Sequence, residues 1–247
     1  MDDLLTAGRM RMSPAGAHVT STDTDHGELF YLSSTTGSPI RGGIPVIAPA
    51  FAELLDGEPR HGWARTADWR VTTDGMGFNA QLVNDGLHLT LNVKERADGM
   101  RIELHMRNES PETRRVQMGF HPYFLVDDVR EVRVEGLAGV SFTDRFTDRE
   151  SVQEGTLLID APVDRIFREA RQVRIVDKQR VITVTPDGAD ATVVWNPGEA
   201  DMKDVGPGEW SRFLCVEPAI LGEDLDGVNL ARDEQLRLAM TVTVSPS

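Results

Sequence analysis

Alternation of apolar and polar residues constrains this chain more than any other feature. In LHLTLNV, residues 87–93, Leu87, Leu89, Leu91 and Val93 share one face. In RIELHMRN, residues 101–108, Ile102, Leu104 and Met106 do the same. Side chains of an extended strand point alternately to two faces, so this period marks strands with one buried face. Further strands are predicted at VRIV 173–176, VITVT 181–185, ATVVW 191–195, RFLCV 212–216 and LAMTVTV 238–244. They are rich in β-branched residues and bounded by breakers such as DG, NP and GPG. Helical periodicity is nowhere sustained, and AFAELLD, 50–56, makes at most a short helix. Regularly spaced strands with almost no helix predict an all-β fold, a large antiparallel β-sandwich or barrel. No repeat, low-complexity tract or linker divides residues 1–247, so a single domain is expected.

Charge narrows the partners. With 40 acidic against 26 basic residues the formal net charge is −14, a field that disfavours nucleic acid and anionic membrane. A phosphorylated ligand therefore requires arginines gathered locally against the global sign. Cys215 is the single cysteine, which forbids an intrachain disulfide, and its apolar neighbours mark it as a small buried hydrophobe. The opening MDDLLTAGRMRM lacks a basic-then-apolar signal pattern, and no stretch reaches transmembrane length. A soluble cytoplasmic protein is expected.

Pattern also sorts the six histidines. His88 and His105 alternate with the apolar face and read as solvated strand residues, while His18 and His26 lie in a polar region and carry no signal. His121, in GFHPYF, and His61, in RHGWART, sit among glycine, proline and aromatics. Glu217 follows the apolar run Phe213–Val216, where an ionised carboxylate is expensive unless it is paired or used. Proline follows both His121 and Glu217 and holds each in extended geometry, so each is expected to end an extended segment. Such a pair suits general acid–base catalysis near neutral pH. The alternative is a core histidine bonded to a carbonyl and a surface strand end.

A basic cluster comes earlier. Arg41 opens RGGIP, whose glycines permit close backbone approach, and Arg60, His61 and Arg65 follow in RHGWAR. Guanidinium groups are the usual partners of phosphate or carboxylate, so these loops read either as a local anion site or as ordinary salt-bridge partners. No HxH, HExxH or paired CxxC supports zinc ligation, and phosphate-loop, dinucleotide and nucleophile-elbow fingerprints are absent. Neither cofactor nor metal is expected.

Taken in order, YLSST 31–35, RGGIP 41–45, HGWART 61–66, HPYF 121–124, VDRIF 163–167, VVWNP 193–197 and RFLCVEPA 212–219 span most of the chain. This series resembles the aldose 1-epimerase superfamily, and within it the D-hexose-6-phosphate mutarotases. The resemblance implies a galactose mutarotase-like β-sandwich and cofactor-free interconversion of the α and β anomers of a sugar phosphate. It implies Glu217 as general base, His121 as general acid and Asp164 as a holder of sugar hydroxyls. It further implies that Arg41 and Arg65 contact phosphate and that His61 lines the pocket. The expected starting state has Glu217 ionised and His121 protonated. Two positions depart from the family pattern. IAPAFAEL, 47–54, replaces an aromatic-rich P-W-F-G string, and Arg60 stands where glutamine is common. Arg60 either adds to phosphate binding or points into solvent. The alternatives are an aldose 1-epimerase for unphosphorylated sugars and a noncatalytic sugar-binding protein.

Overall fold

The computed structural model describes residues 4–35, 39–56, 58–200 and 202–247. Two large sheets carry the fold, and every strand pairing within them is antiparallel. The nine-stranded sheet centres on Arg180–Asp187, Gln235–Pro246, Gly99–Asn108, Leu87–Arg96 and Gly77–Asn84. Here the alternation read from sequence is realised directly: Leu87, Leu89, Leu91 and Val93 are buried, and the residues between them are half-buried. The eight-stranded sheet runs Arg149–Val152, Ser141–Asp144, Val163–Phe167, Ala191–Asn196, Phe213–Ile220, Met118–Phe120 and Val46–Ile47, with Tyr123–Leu125 also pairing onto Phe213–Ile220.

The main core lies between these sheets. Leu214, Val216 and Val194 from the eight-stranded sheet join Leu89, Leu104 and Met240 from the nine-stranded sheet in one cluster. Opposite faces of the same strands have different neighbours: Phe213 and Cys215 pack with Tyr31 and Tyr123, and Val193 and Ala219 with Phe51 and Ile166. Phe213–Ile220 is thus buried on both faces, which is why its sequence reads as an apolar run rather than an alternation.

One expectation needs correction, and two regions gain detail. The strand does not stop at Val216; it continues through Glu217 and Pro218 to Ile220, so Glu217 is interior to the strand and 2% exposed. Residues 50–56 form turns, not a short helix. Their peptide groups are spent on tertiary partners: Phe51 N donates to Gln117 Oε1 at 3.0 Å, and Ala52 O accepts from His61 N at 2.9 Å. Among the described residues only short 3-10 turns are helical, and no helix is long and apolar enough to cross a membrane. His18, which carried no signal, is buried in His18–Thr24 of a small N-terminal sheet, where its Nε2 donates to Gly42 O at 2.7 Å.

Candidate active site

Strand register brings the two proline-flanked groups together. Gly119 pairs with Ala219 and Tyr123 pairs with Cys215 in the same antiparallel register, so His121 falls opposite Glu217. His121 Nδ1 lies 3.4 Å from Glu217 Oε1, within ion-pair range yet without hydrogen-bond alignment. Neither His121 Nδ1 nor Glu217 Oε2 has a hydrogen-bond partner. The imidazole is held by stacking on Tyr123, with centroids 4.8 Å apart and planes 3° from parallel, and by the edge of Trp195. One strand further across the sheet, Asp164 pairs in register with Trp195. Its Oδ2 accepts from Arg145 at 3.3 Å, and its buried Oδ1 is unpartnered.

The glycine loops supply the basic side of the cleft. Gly43 has φ 58°, and a Cβ there would meet Val19 O at 2.2 Å, so the RGGIP loop closes onto His18–Thr24. Gly62 has φ 65°, and a Cβ there would lie 2.0 Å from Ala48 O. That close approach presents His61, itself at φ 62°, to the ring of His121 with centroids 5.6 Å apart. Arg41 donates to Tyr123 Oη at 2.6 Å and from Nε to Asp204 Oδ2 at 2.8 Å. Arg65 forms no ion pair among the described residues, and its buried Nε is unpartnered. Arg60 is well exposed at the rim, bound to Glu53 at 3.0 Å.

These side chains line one cleft of about 580 Å³, its open mouth included. It contains Arg41, Arg60, His61, Arg65, His121, Asp164 and Glu217, all seven singled out in the sequence. Arg145 and Met202 line it too, unforeseen, with Phe51 from the divergent segment. Arg145 sits in the turn of FTDRFTDR with no recognisable motif around it, after a strand that pairs with VDRIF.

Burial governs the titration. Glu217 is pushed well above the ordinary carboxyl range by burial, reinforced by Asp164. His121 is pushed well below the usual imidazole value by burial, then by His61, Arg41 and Arg65. His61 falls to about 3 through burial and the arginines around it, and accepts from Ala52 N at Nδ1, 3.3 Å away. Both shifts disfavour the charged forms, the direction opposite to the expected ionised Glu217 beside a protonated His121.

The family described as Aldose 1-epimerase matches residues 6–243. A protein from Cenchrus ciliaris named "Putative glucose-6-phosphate 1-epimerase" is 29% identical over 270 aligned positions, covering 94% of this chain and 80% of its own. One of the same name from Haemophilus influenzae is 28% identical over 188 positions, 74% of this chain and 68% of its own. The solved structure of a "putative mutarotase" from Salmonella typhimurium superposes with a TM-score of 0.82 at 25% identity, covering 99% of this chain and 90% of its own. The Slr1438 protein of Synechocystis shares the fold at TM-score 0.83 and 18% identity, with 100% and 97% coverage. The antiparallel sandwich, the cleft on its eight-stranded sheet and a match running through nearly every strand agree: the chain belongs to the aldose 1-epimerase family.

Proposed function

We propose that this protein is a mutarotase interconverting the anomers of a hexose 6-phosphate, with Glu217 as general base and His121 as general acid. The observation that carries the reading is a half-buried guanidinium, Arg65, with no ion pair among the described residues, in the same cleft as His121 and Glu217, whose buried Nδ1 and Oε2 have no hydrogen-bond partner among them. Arg65 and Arg41 take the phosphate, and Asp164 and His61 hold ring hydroxyls. Burial is the chief cause of His121's lowered pKa, and a bound phosphate dianion offsets the smaller contribution of Arg41 and Arg65. Sugar hydroxyls donating to Glu217 favour its ionised form. Substrate thereby moves the shared proton from carboxyl to imidazole. Glu217 then takes the anomeric hydroxyl proton while His121 protonates the ring oxygen, the C1–O5 bond opens, and rotation about C1–C2 exposes the other aldehyde face. Closure reverses both transfers. Each positioned group contributes about 10²–10⁴-fold, adequate for a reaction that already proceeds in water.

One observation favours a second reading. Arg41 is already engaged by Asp204 and Tyr123, which leaves one free guanidinium and suits an aldose 1-epimerase for neutral sugars. NMR exchange between α and β anomers of glucose 6-phosphate and of glucose separates the two. Preferential acceleration of the phosphate ester supports the first; equal acceleration removes the phosphate claim, and no acceleration of either removes the catalytic one.

A further inference from the structure

We propose that a three-ligand site for a soft divalent cation, Zn²⁺ in the first instance, lies beneath the cleft, built from His121, Cys215 and Glu217, and that its occupancy blocks the cleft. One ligand atom from each of these residues lies within 4.8 Å of the other two, and all three residues are buried. It is the single such group among the described residues. The strand explains it. Cys215 and Glu217 are two apart and share a face, and the register that sets Tyr123 opposite Cys215 sets His121 opposite Glu217. His121 is 8% exposed and Glu217 2%, and each presents a nitrogen or oxygen with no hydrogen-bond partner.

Zinc bonds nitrogen, oxygen and sulfur at about 2.0–2.3 Å, which puts tetrahedral ligand atoms roughly 3.5 Å apart. The His121 Nδ1 to Glu217 Oε1 separation of 3.4 Å already meets that spacing. The sulfur lies within 4.8 Å of both and would have to close to that spacing. The fourth position would be left to water. Binding releases the thiol and carboxyl protons to solvent as the metal–sulfur and metal–oxygen bonds form, with no change of oxidation state. Thiolate and carboxylate together neutralise the dication, so the complex enters a low-dielectric pocket uncharged. Arg41, Arg65 and Arg145 oppose a cation in the same cleft, which is why both anionic ligands are needed. A thiolate–imidazole set selects zinc over magnesium or calcium. The loss of activity rests on the mutarotase reading, because it commits His121 and Glu217 to the metal; the binding itself does not.

The test is a titration of the full chain with Co²⁺, whose bond to a thiolate gives a sulfur-to-metal charge-transfer band, followed by Zn²⁺ displacement and anomer-exchange rates. The expected result is a band that Zn²⁺ abolishes, inhibition by Zn²⁺, and loss of the band in Cys215→Ser and Cys215→Ala. Zn²⁺ should inhibit those variants at least tenfold more weakly, each judged against its own metal-free rate. Absence of the band in the unaltered protein overturns the site, as does undiminished inhibition of the Cys215 variants. A band in a protein without mutarotase activity upholds the metal site and sinks the catalytic reading. If neither variant folds, the band in the unaltered protein decides.

Discussion

The outer face of the nine-stranded sheet and the cleft face of the eight-stranded sheet both carry arginines, carboxylates and a histidine, with opposite physical character. On the outer face Arg237 joins Glu103 at 2.8 Å and Asp187 at 2.7 Å, Arg101 joins the same two carboxylates, and His105 joins Glu103. The arginines and carboxylates of this network are paired with one another and partly exposed. Glu103 is drawn down to about 2, chiefly by its hydrogen bond from Arg237, and Asp187 is lowered by the same arginine. In the cleft the shifts run the other way: Glu217 rises, His121 and His61 fall, and buried polar atoms are left unpartnered. Residue type does not distinguish a structural ion network from a reactive one. Burial without partners does, because it holds groups in protonation states that a ligand can reverse.

The sharpest way to break this contrast is to remove the cleft's central groups. Glu217→Gln should lower the anomer-exchange rate by about 10²–10⁴-fold, and His121→Asn by a similar factor, with the fold retained. An unchanged rate in either variant removes the role given to that residue. The same glutamate substitution carries a stability signature. Its folded pKa lies above its unfolded value, so its favourable contribution is complete below the ordinary carboxyl pKa and is lost as pH rises toward the folded value. Glu217→Gln should therefore flatten the decline of the melting temperature across that window, as read by thermal denaturation at stepped pH.

Next in size is the basic wall. Arg65→Ala should raise KM for the phosphorylated sugar by about 10- to 100-fold, the scale of a charged hydrogen bond, with little change for the free sugar. Arg41→Ala should do the same, compounded by loss of its bond to Tyr123. A parallel loss for both sugars would show that these arginines shape the cleft rather than read the phosphate. The pH profile of kcat/KM tests the shared proton. Activity should fall on the acid side when His121 gains a proton, below the usual imidazole value, and on the alkaline side when Glu217 loses its own, above the usual carboxyl value. The smallest effect belongs to the outer face. Arg237→Ala should leave the rate unaltered and cost about 1 kcal/mol or less, by chemical denaturation, because exposed ion pairs contribute little. A large loss of rate there would abolish the distinction between the two faces.

Much of the fold was legible because alternation is a local property. The strands over 87–93, 101–108, 173–176, 181–185, 191–195 and 238–244 each fall inside an observed strand. Errors came where tertiary contacts overruled local pattern. Residues 50–56 lost a possible helix turn to Gln117 and His61, and Phe213–Val216 ran on past a proline because both its faces are covered. His18 looked polar and proved buried, since its single bond to Gly42 is made by a loop distant in sequence. Arg145 and Cys215 gave no functional signal at all, as nothing local marks a turn arginine or a strand cysteine as neighbours of Asp164 and Glu217.

By itself, the sequence determined the all-β architecture and, through the resemblance its motifs carry, the family and seven of the side chains that line the cleft. These follow from backbone period and from motifs whose residues lie close along the chain. Only the tertiary structure decided that His121 falls opposite Glu217, that Arg65 has no ion pair among the described residues while Arg60 is held at the rim, and that burial disfavours the charge on both His121 and Glu217. The reason is physical: register sets which distant residues meet, and burial sets their charge. Neither burial nor long-range register is a property of a short stretch of chain.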